Sequence, residues 1–313
     1  MSFKRKKGKI VKMSRRDFIE AASAAALGTC ATGCFSDCAD RLGVCSWSFR
    51  LPLDGVAAEM AKMGLKRVHL ALQPFLEGES RHGAAEGAGA FDKVKERLAS
   101  GEWVLSATMI GFPQEDYTTL ESIKRTGGVV PDDVWEGNKK IVKEGARLSA
   151  ELKSPVLTLH AGTPSADAAA KKKFSDRVKF VVDTCGEAGV PVAFETGQET
   201  AEELAEFLQT MPGAGVNFDP ANMILYDKGD PVAAVKTLAP WIRHIHIKDA
   251  KRTTKPGEWG TEVPWGDGEV NPAKFFAALY AGGYTGAFAI EREAGDNRVA
   301  DIALAATRYR EVH

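Results

Sequence analysis

A chain of 313 residues, 44% hydrophobic and 27% charged, is long enough to bury one large core or two small ones. Collagen-like, low-complexity and multi-span membrane proteins are excluded by that composition. The net charge of -1 conceals an asymmetry, because Met1 to Arg16 holds eight basic residues and no acidic one.

The first element in chain order is an address rather than fold. Lys4, Arg5, Lys6, Lys7, Lys9, Lys12, Arg15 and Arg16 precede a mild apolar run, Ala21 to Leu27, too short to span a bilayer. Ser14-Arg15-Arg16-Asp17-Phe18-Ile19 resembles a twin-arginine export signal, which implies a protein exported already folded, in the periplasm or at the cell envelope. Ala31-Thr32-Gly33-Cys34 resembles a degenerate lipoprotein box, so the membrane enters only through a lipid anchor at Cys34. Cys30 and Cys38 flank it in a stretch without helix or strand pattern, where a structural metal site is not expected. Cys45 and Cys185 are the cysteines of the body. Loss of residues 1 to 34 leaves 33 basic and 40 acidic residues, a net charge of -7 that does not suit nucleic acid.

Beyond this lead-in (residues 1-39), one domain (40-313) carries a single periodicity of short apolar runs separated by amphipathic helical sequence. The runs are Leu42 to Trp47, Arg67 to Leu72, Trp103 to Ile110, Pro155 to His160, Pro191 to Glu195, Gly215 to Asp219, Ile242 to Lys248 and Gly286 to Glu291. Eight strand-helix units predict an α/β fold, a single (β/α)8 TIM barrel. Helices are expected over Asp132 to Ala150 and Ala166 to Gly189, the second closed by Gly189-Val190-Pro191. A doubly wound open sheet would need a Gly-x-Gly-x-x-Gly after its first strand, and none is present.

Strand residues alternate between barrel interior and helix layer, and the catalytic face lies where the strands end. By that alternation Glu195 lies inward with Ala193, Asp219 with Asn217, and Glu291 above two alanines. His244, His246 and Lys248 share the inward face of strand seven. Three carboxylates converging on one mouth repel one another, so two Glu, one Asp and one His ask for a divalent metal. Taken singly, each acid is also readable as a capping or salt-bridged group at the rim.

Phe194-Glu195, Phe218-Asp219-Pro220-Ala221-Asn222, His244-Ile245-His246-Ile247-Lys248-Asp249 and Ile290-Glu291-Arg292-Glu293 resemble the xylose-isomerase-like, or sugar phosphate isomerase/epimerase, superfamily over residues 41 to 310. The resemblance implies one divalent ion, manganese ahead of cobalt, magnesium or zinc, held by Glu195, Asp219, His246 and Glu291. It also implies a sugar isomerase or epimerase in which Glu195 and Glu291 work as acid and base on opposite sides of the sugar. One position departs from the ketose 3-epimerases, which carry a His where this chain has Asn222. The superfamily also holds metal-dependent lyases of 3-keto-glycosides, in which the C1 substituent leaves after the C2 proton is removed. A non-catalytic sugar-binding lipoprotein is a third reading.

His160 and His69 point inward and are candidates for general base or hydroxyl ligand, or for hydrogen-bonded core residues. His69 shares its face with Ala71 and Gln73. Lys248 is placed either for a substrate oxyanion or for neighbouring acids. Trp47, Trp259 and Trp265 offer aromatic faces to a sugar, whereas Trp103 and Trp241 fill core. The loop Gly111 to Pro131, with Glu115, Asp116, Tyr117 and Gly127-Gly128, has the length of a lid. It holds no phosphate cradle, so the expected partner is a free sugar or a glycoside. The oligomeric state is left open, a dimer among the options.

Overall fold

A computed structural model describes residues 41–76, 86 and 89–313. The export signal, the lipid-anchor reading and Cys30, Cys34 and Cys38 lie outside the described residues. The strands in chain order are β1 (Leu42–Cys45), β2 (Arg67–Ala71), β3 (Val104–Met109), β4 (Leu157–Leu159), β5 (Val192–Glu195), β6 (Ala214–Phe218), β7 (Ile242–Ile247), β8 (Asp249–Lys251), β9 (Thr261–Val263) and β10 (Phe288–Ile290). Eight of them, all but β8 and β9, close a barrel in the order β1-β10-β7-β6-β5-β4-β3-β2, and every pairing is parallel. This is the (β/α)8 barrel expected from the eight apolar runs. Among the described residues no helix is long and apolar enough to cross a membrane.

The main core is the layer between strands and helices, built from outward residues such as Val192, Phe194, Val216, Phe218, Ile245 and Ile247. The interior is different. Its apolar residues are mostly small and form two separate patches, Ala107 with Val156 and Ala193, and Cys45 with Trp47, Ala71, Met109 and Ala289. Small side chains there leave room for the buried polar groups His69, Thr158, Asn217, His244 and His246.

The strands are shorter than the apolar runs because their terminal polar residues leave the ladder. β4, β6, β7 and β10 end one residue before His160, Asp219, Lys248 and Glu291, and Glu195 is the last residue of β5. Asp219 shows the cause. Its Oδ1 accepts from the N–H groups of Ala221 (2.7 Å) and Asn222 (3.2 Å), capping the helix Pro220–Leu225, whose first residue is a proline that has no N–H to satisfy.

The expected helices run over Trp135–Glu151 and Ala168–Glu187. The first starts late because Asp132 pairs instead with Arg177 and Lys173. The second starts at its cap, Asp167, and is followed by Gly189 at φ 73°.

Two long loops over the mouth are tied down internally. In the loop Gly111 to Pro131 the helix Leu120–Thr126 is closed by a Thr119/Ser122 capping box, and Glu115 accepts from the N–H groups of Phe112 and Gly128. Gly128 has φ 57°, and a side chain there would run into the backbone of Ala161. In the other loop, β8 and β9 form an antiparallel ribbon held by Asp249. Its Oδ1 accepts from Ala250 and Val270, and its Oδ2 from Gly266 and Gly268.

Candidate metal and active site

The four residues at the ends of β5, β6, β7 and β10 converge. Glu195, Asp219, His246 and Glu291 each present a ligand atom, all within 4.8 Å of one another, and all four side chains are buried. His246 Nδ1 lies 3.5 Å from Glu195 Oε1, 3.7 Å from Asp219 Oδ2 and 3.2 Å from Glu291 Oε2. Two of these atoms, Asp219 Oδ2 and His246 Nδ1, are buried without a hydrogen-bond partner. A buried carboxylate oxygen and an imidazole nitrogen that make no hydrogen bond and face the same point are costly unless a cation takes them, and the Lys248 ammonium approaches Asp219 Oδ2 only to 3.5 Å. The donor set of three carboxylates and one imidazole fits a divalent ion.

The supporting contacts fix each ligand. Glu195 is held by two neutral amides, Asn222 Nδ2 donating to Oε1 and Asn217 Nδ2 to Oε2, each at 3.1 Å. Asn222 also donates to the Thr196 carbonyl at 2.9 Å. Glu291 is held by cationic and indole donors, Trp47 Nε1–H to Oε1 and the Lys248 ammonium to Oε2, each at 2.8 Å. Burial pushes the Glu291 carboxyl up, but the Lys248 ammonium and the His246 ring outweigh it and hold it at about 2.

His246 is oriented by a chain of hydrogen bonds running down the barrel. Its Nε2 is 3.1 Å from His69 Nδ1, His69 Nε2 is 2.9 Å from Thr158 Oγ1, and Thr158 Oγ1 donates to the Thr108 carbonyl at 3.2 Å. Read from the Thr108 carbonyl, which only accepts, the chain runs one way, with the Asn217 amide as a further neighbour of His246 Nε2 at 3.2 Å. Thr158 therefore accepts from His69 Nε2–H, His69 Nδ1 carries a lone pair, and His246 gives its Nε2–H to that lone pair. In neutral His246 the free lone pair is then on Nδ1, the atom facing the three acids. Burial, then the neighbouring His244 and His246, push His69 well below the ordinary histidine range, which keeps its ring neutral.

The interior histidines thus separate by role. His69 is 0% exposed and bonds to His246, the place of a residue that orients that ring. His244 is equally buried, tied to Asn217 Oδ1 at 2.9 Å and Ser106 Oγ at 3.3 Å. His160 keeps some exposure, and its Nε2 sits 3.6 Å from Glu195 Oε1. Burial depresses its pKa, but Glu195 and then Glu115 reverse the sign and raise it. A second group, Cys45, His69 and His246, also lies within ligand distance. Burial pushes the Cys45 thiol up to about 12, so without an ion it stays protonated.

Lys248 is paired with Glu291, with Glu293 at 2.7 Å and with Asp219 at 3.5 Å, the acid-tied alternative of the two readings of this residue. Trp47 is buried edge-on against His69 and spends its indole N–H on Glu291, so it braces a ligand and offers no open face. Trp259 packs edge-on against Tyr226 at 4.6 Å between ring centroids. Trp265 lies in the core against Phe275 and Phe276. The sequence assigns no role to Asn217 or Glu293, which here hold Glu195 and Lys248. Asn217 was legible by its same-face spacing from Asp219; Glu293 gives no such signal. A cavity of about 890 Å³ is lined by Glu195, His160, Tyr117, Tyr226, Phe174 and Phe207 among others.

Residues 57–311 match the family described as xylose isomerase-like TIM barrel. The chain belongs to that family. Among solved structures of this fold, a xylose isomerase domain protein from Planctomyces limnophilus is 26% identical, with 87% of this chain and 96% of that chain covered and a TM-score of 0.76. A xylose isomerase-like TIM barrel protein from Mycobacterium smegmatis in complex with magnesium is 14% identical, covering 83% and 87%, with a TM-score of 0.62. A D-psicose 3-epimerase from Clostridium cellulolyticum H10, solved with D-tagatose, is 14% identical, covering 87% and 99%, with a TM-score of 0.64. No curated protein matches the chain significantly.

Proposed function

We propose that the protein is a divalent-metal-dependent sugar isomerase or epimerase that abstracts a proton next to a carbonyl and passes through an enediolate. The observation that carries this reading is the meeting of two buried glutamates with Asp219 Oδ2 and His246 Nδ1, neither of which makes a hydrogen bond. Glu195, Asp219, His246 and Glu291 would hold the ion, manganese before cobalt, magnesium or zinc, and it would supply positive charge for the enediolate oxygens as that charge develops.

The residues of the chain do the proton work. Glu195, held by neutral amides, is the base that takes the proton from carbon. His160, beside its Oε1, exchanges that proton with a sugar oxygen or with water. Glu291 faces from the other side of the site, and Lys248 next to it offers an ammonium to a developing oxyanion. Asn222, standing where the 3-epimerases have a histidine, secures Glu195 and so trades a titrating group for a fixed one.

The cavity favours a second reading. About 890 Å³ is near the upper end for a small-molecule site and extends well beyond a single sugar ring. A 3-keto-glycoside, its aglycone lying toward Phe174 and Phe207, would use the same first proton abstraction and then lose the C1 substituent. With the twin-arginine reading of residues 1–39, either reaction would take place outside the cytoplasm.

The test is incubation of the metal-loaded protein in deuterated water with free ketoses and 3-keto-glycosides, followed by NMR. Deuterium in recovered or epimeric sugar supports the isomerase, and release of aglycone supports the lyase. No exchange and no release from any of them would refute both.

A further inference from the structure

The two nitrogens of the His246 ring face different clusters. Nδ1 looks toward the three acids, and Nε2 looks down the barrel to His69 Nδ1, 3.1 Å away. Cys45 Sγ stands 3.8 Å from that same His69 nitrogen. Cys45, His69 and His246 each bring a ligand atom within 4.8 Å of the others, and all three are 0% exposed. Oxygen donors thus crowd one edge of the ring, and sulfur and nitrogen crowd the other.

The protein alone leaves this second cluster short of acceptors. His69 spends its Nε2–H on Thr158 Oγ1, so Nδ1 carries its one lone pair, and that lone pair faces both the His246 Nε2–H and the Cys45 thiol. One of the two hydrogens is left over. A cation between the three atoms replaces both hydrogens and takes all three lone pairs. A point equidistant from donors so spaced lies ~2.1 to 2.4 Å from each, against ~2.3 Å for a metal–sulfur and ~2.0 Å for a metal–imidazole bond. Asn217 Nδ2, 3.2 Å from His246 Nε2, is an amide nitrogen with no lone pair to give and stays outside the ligand set. The bond from His69 to Thr158 is of the kind that fixes a metal-ligating histidine from behind.

The donors select the ion. A thiolate with two imidazoles favours copper(I) or zinc over the hard ions that suit carboxylates. Zinc takes a fourth ligand. This group offers three and is closed by Trp47, edge-on to His69, and by Ala71, Met109 and Ala289 packed with Cys45. Copper(I) forms stable three-coordinate sites, and its single charge is cancelled by the thiolate, so the filled site buries no net charge.

We propose that Cys45 Sγ, His69 Nδ1 and His246 Nε2 form a copper(I) site beneath the divalent site, and that the two sites exclude one another through the shared ring of His246. As the one copper–sulfur and two copper–nitrogen bonds form, the thiol proton leaves to solvent and the proton of neutral His246 moves from Nε2 to Nδ1. No electron is transferred. That proton occupies the lone pair the divalent ion needs, so copper inhibits whatever reaction the divalent ion supports. The triad lies one imidazole ring below the divalent ligands, so an ion that reaches those is one ligand exchange from it. The copper site stands on its own geometry; the exclusion rests on the divalent site proposed above.

The experiment is anaerobic titration of the full chain with Cu(I) buffered by bicinchoninate, for wild type, Cys45→Val and Cys185→Val. Cys45→Val keeps an apolar residue of similar bulk and binds one copper fewer than wild type. Cys185→Val, altered in the helix layer, binds as many. Copper taken by Cys30, Cys34 and Cys38 is common to all three proteins and cancels in the difference. Copper loading weakens the calorimetric Mn2+ affinity of wild type at least ~10-fold and leaves that of Cys45→Val within about twofold. Should Cys45→Val fail to fold, copper-edge anomalous diffraction from Cu(I)-soaked wild-type crystals reads the site directly, as a peak bonded to Cys45 Sγ, His69 Nδ1 and His246 Nε2. Equal copper binding by wild type and Cys45→Val, no copper peak at these three atoms, or a wild-type Mn2+ affinity untouched by copper overturns the proposal. If wild type binds no Mn2+ at all, the divalent reading fails by itself, and the copper count and the diffraction peak still decide this site.

Discussion

Replacing His69 by Leu tests whether the interior of the barrel sets up the candidate metal site. The substitution keeps bulk but removes the acceptor for His246 Nε2–H, 3.1 Å away, and the donor to Thr158 Oγ1, 2.9 Å away. Partners of this kind, behind a metal-ligating histidine, are worth about 10- to 100-fold in metal affinity. That corresponds to about 1.4 to 2.8 kcal/mol. Stability falls as well, because the Thr158 hydroxyl and the His246 ring nitrogen lose their buried partners at about 1–3 kcal/mol each. The assay is calorimetric titration of Mn2+ with thermal unfolding in parallel. His69→Gln, which offers an amide oxygen to His246 and an N–H to Thr158, recovers most of the affinity. Mn2+ binding by His69→Leu within about twofold of wild type would refute the orienting role.

Glu195→Gln should fold normally and lose deuterium exchange by about 10²- to 10⁴-fold, the usual contribution of a positioned base; an unchanged rate would remove Glu195 from that role. Metal binding should release protons and tighten as pH rises, because the surrounding acids, Glu291 first, lift His246 well above its ordinary value despite burial, and the ion must displace that proton. Calorimetry in buffers of different ionisation enthalpy reads this, and no proton release would contradict it. For the metal-free protein, the raised His246 contributes stability fully below about pH 6.5, and this is lost as pH rises through its folded value. Glu291 does the opposite, contributing above its ordinary 4.5 and losing its contribution as pH falls toward about 2. Denaturant titrations should therefore place the metal-free optimum on the acid side of neutrality. Asp249→Ala should cost about 3 kcal/mol or more, since four loop N–H groups lose their acceptor, with a measurable fall in thermal midpoint.

The barrel and the cluster at its mouth were legible in the sequence for a shared reason. A parallel strand is buried on both faces, so its apolar run is continuous, and a polar residue closing such a run stands out. Glu195, Asp219, His246 and Glu291 are residues of that kind. Roles that depend on which atom meets which were not legible. Periodicity puts Trp47 and His69 inward, but that the indole N–H goes to Glu291 and the imidazole to His246 depends on the heights of β1, β2, β7 and β10 relative to one another. Lys248 is similar, since its acid-tied reading depends on Asp219, Glu291 and Glu293 all meeting its ammonium. The loop Gly111 to Pro131 reads as a lid by length, while its fastening by Glu115 and Gly128 depends on contacts with the turn after β4 that no local pattern encodes.

The most direct test is anomalous diffraction from crystals of the protein soaked in Mn2+. One strong peak is expected within ~2.0 to 2.6 Å of carboxylate oxygens of Glu195, Asp219 and Glu291 and of His246 Nδ1, with His69 still behind the ring. A peak bonded to other residues, or none while Lys248 stays between Glu291 and Asp219, would contradict the account.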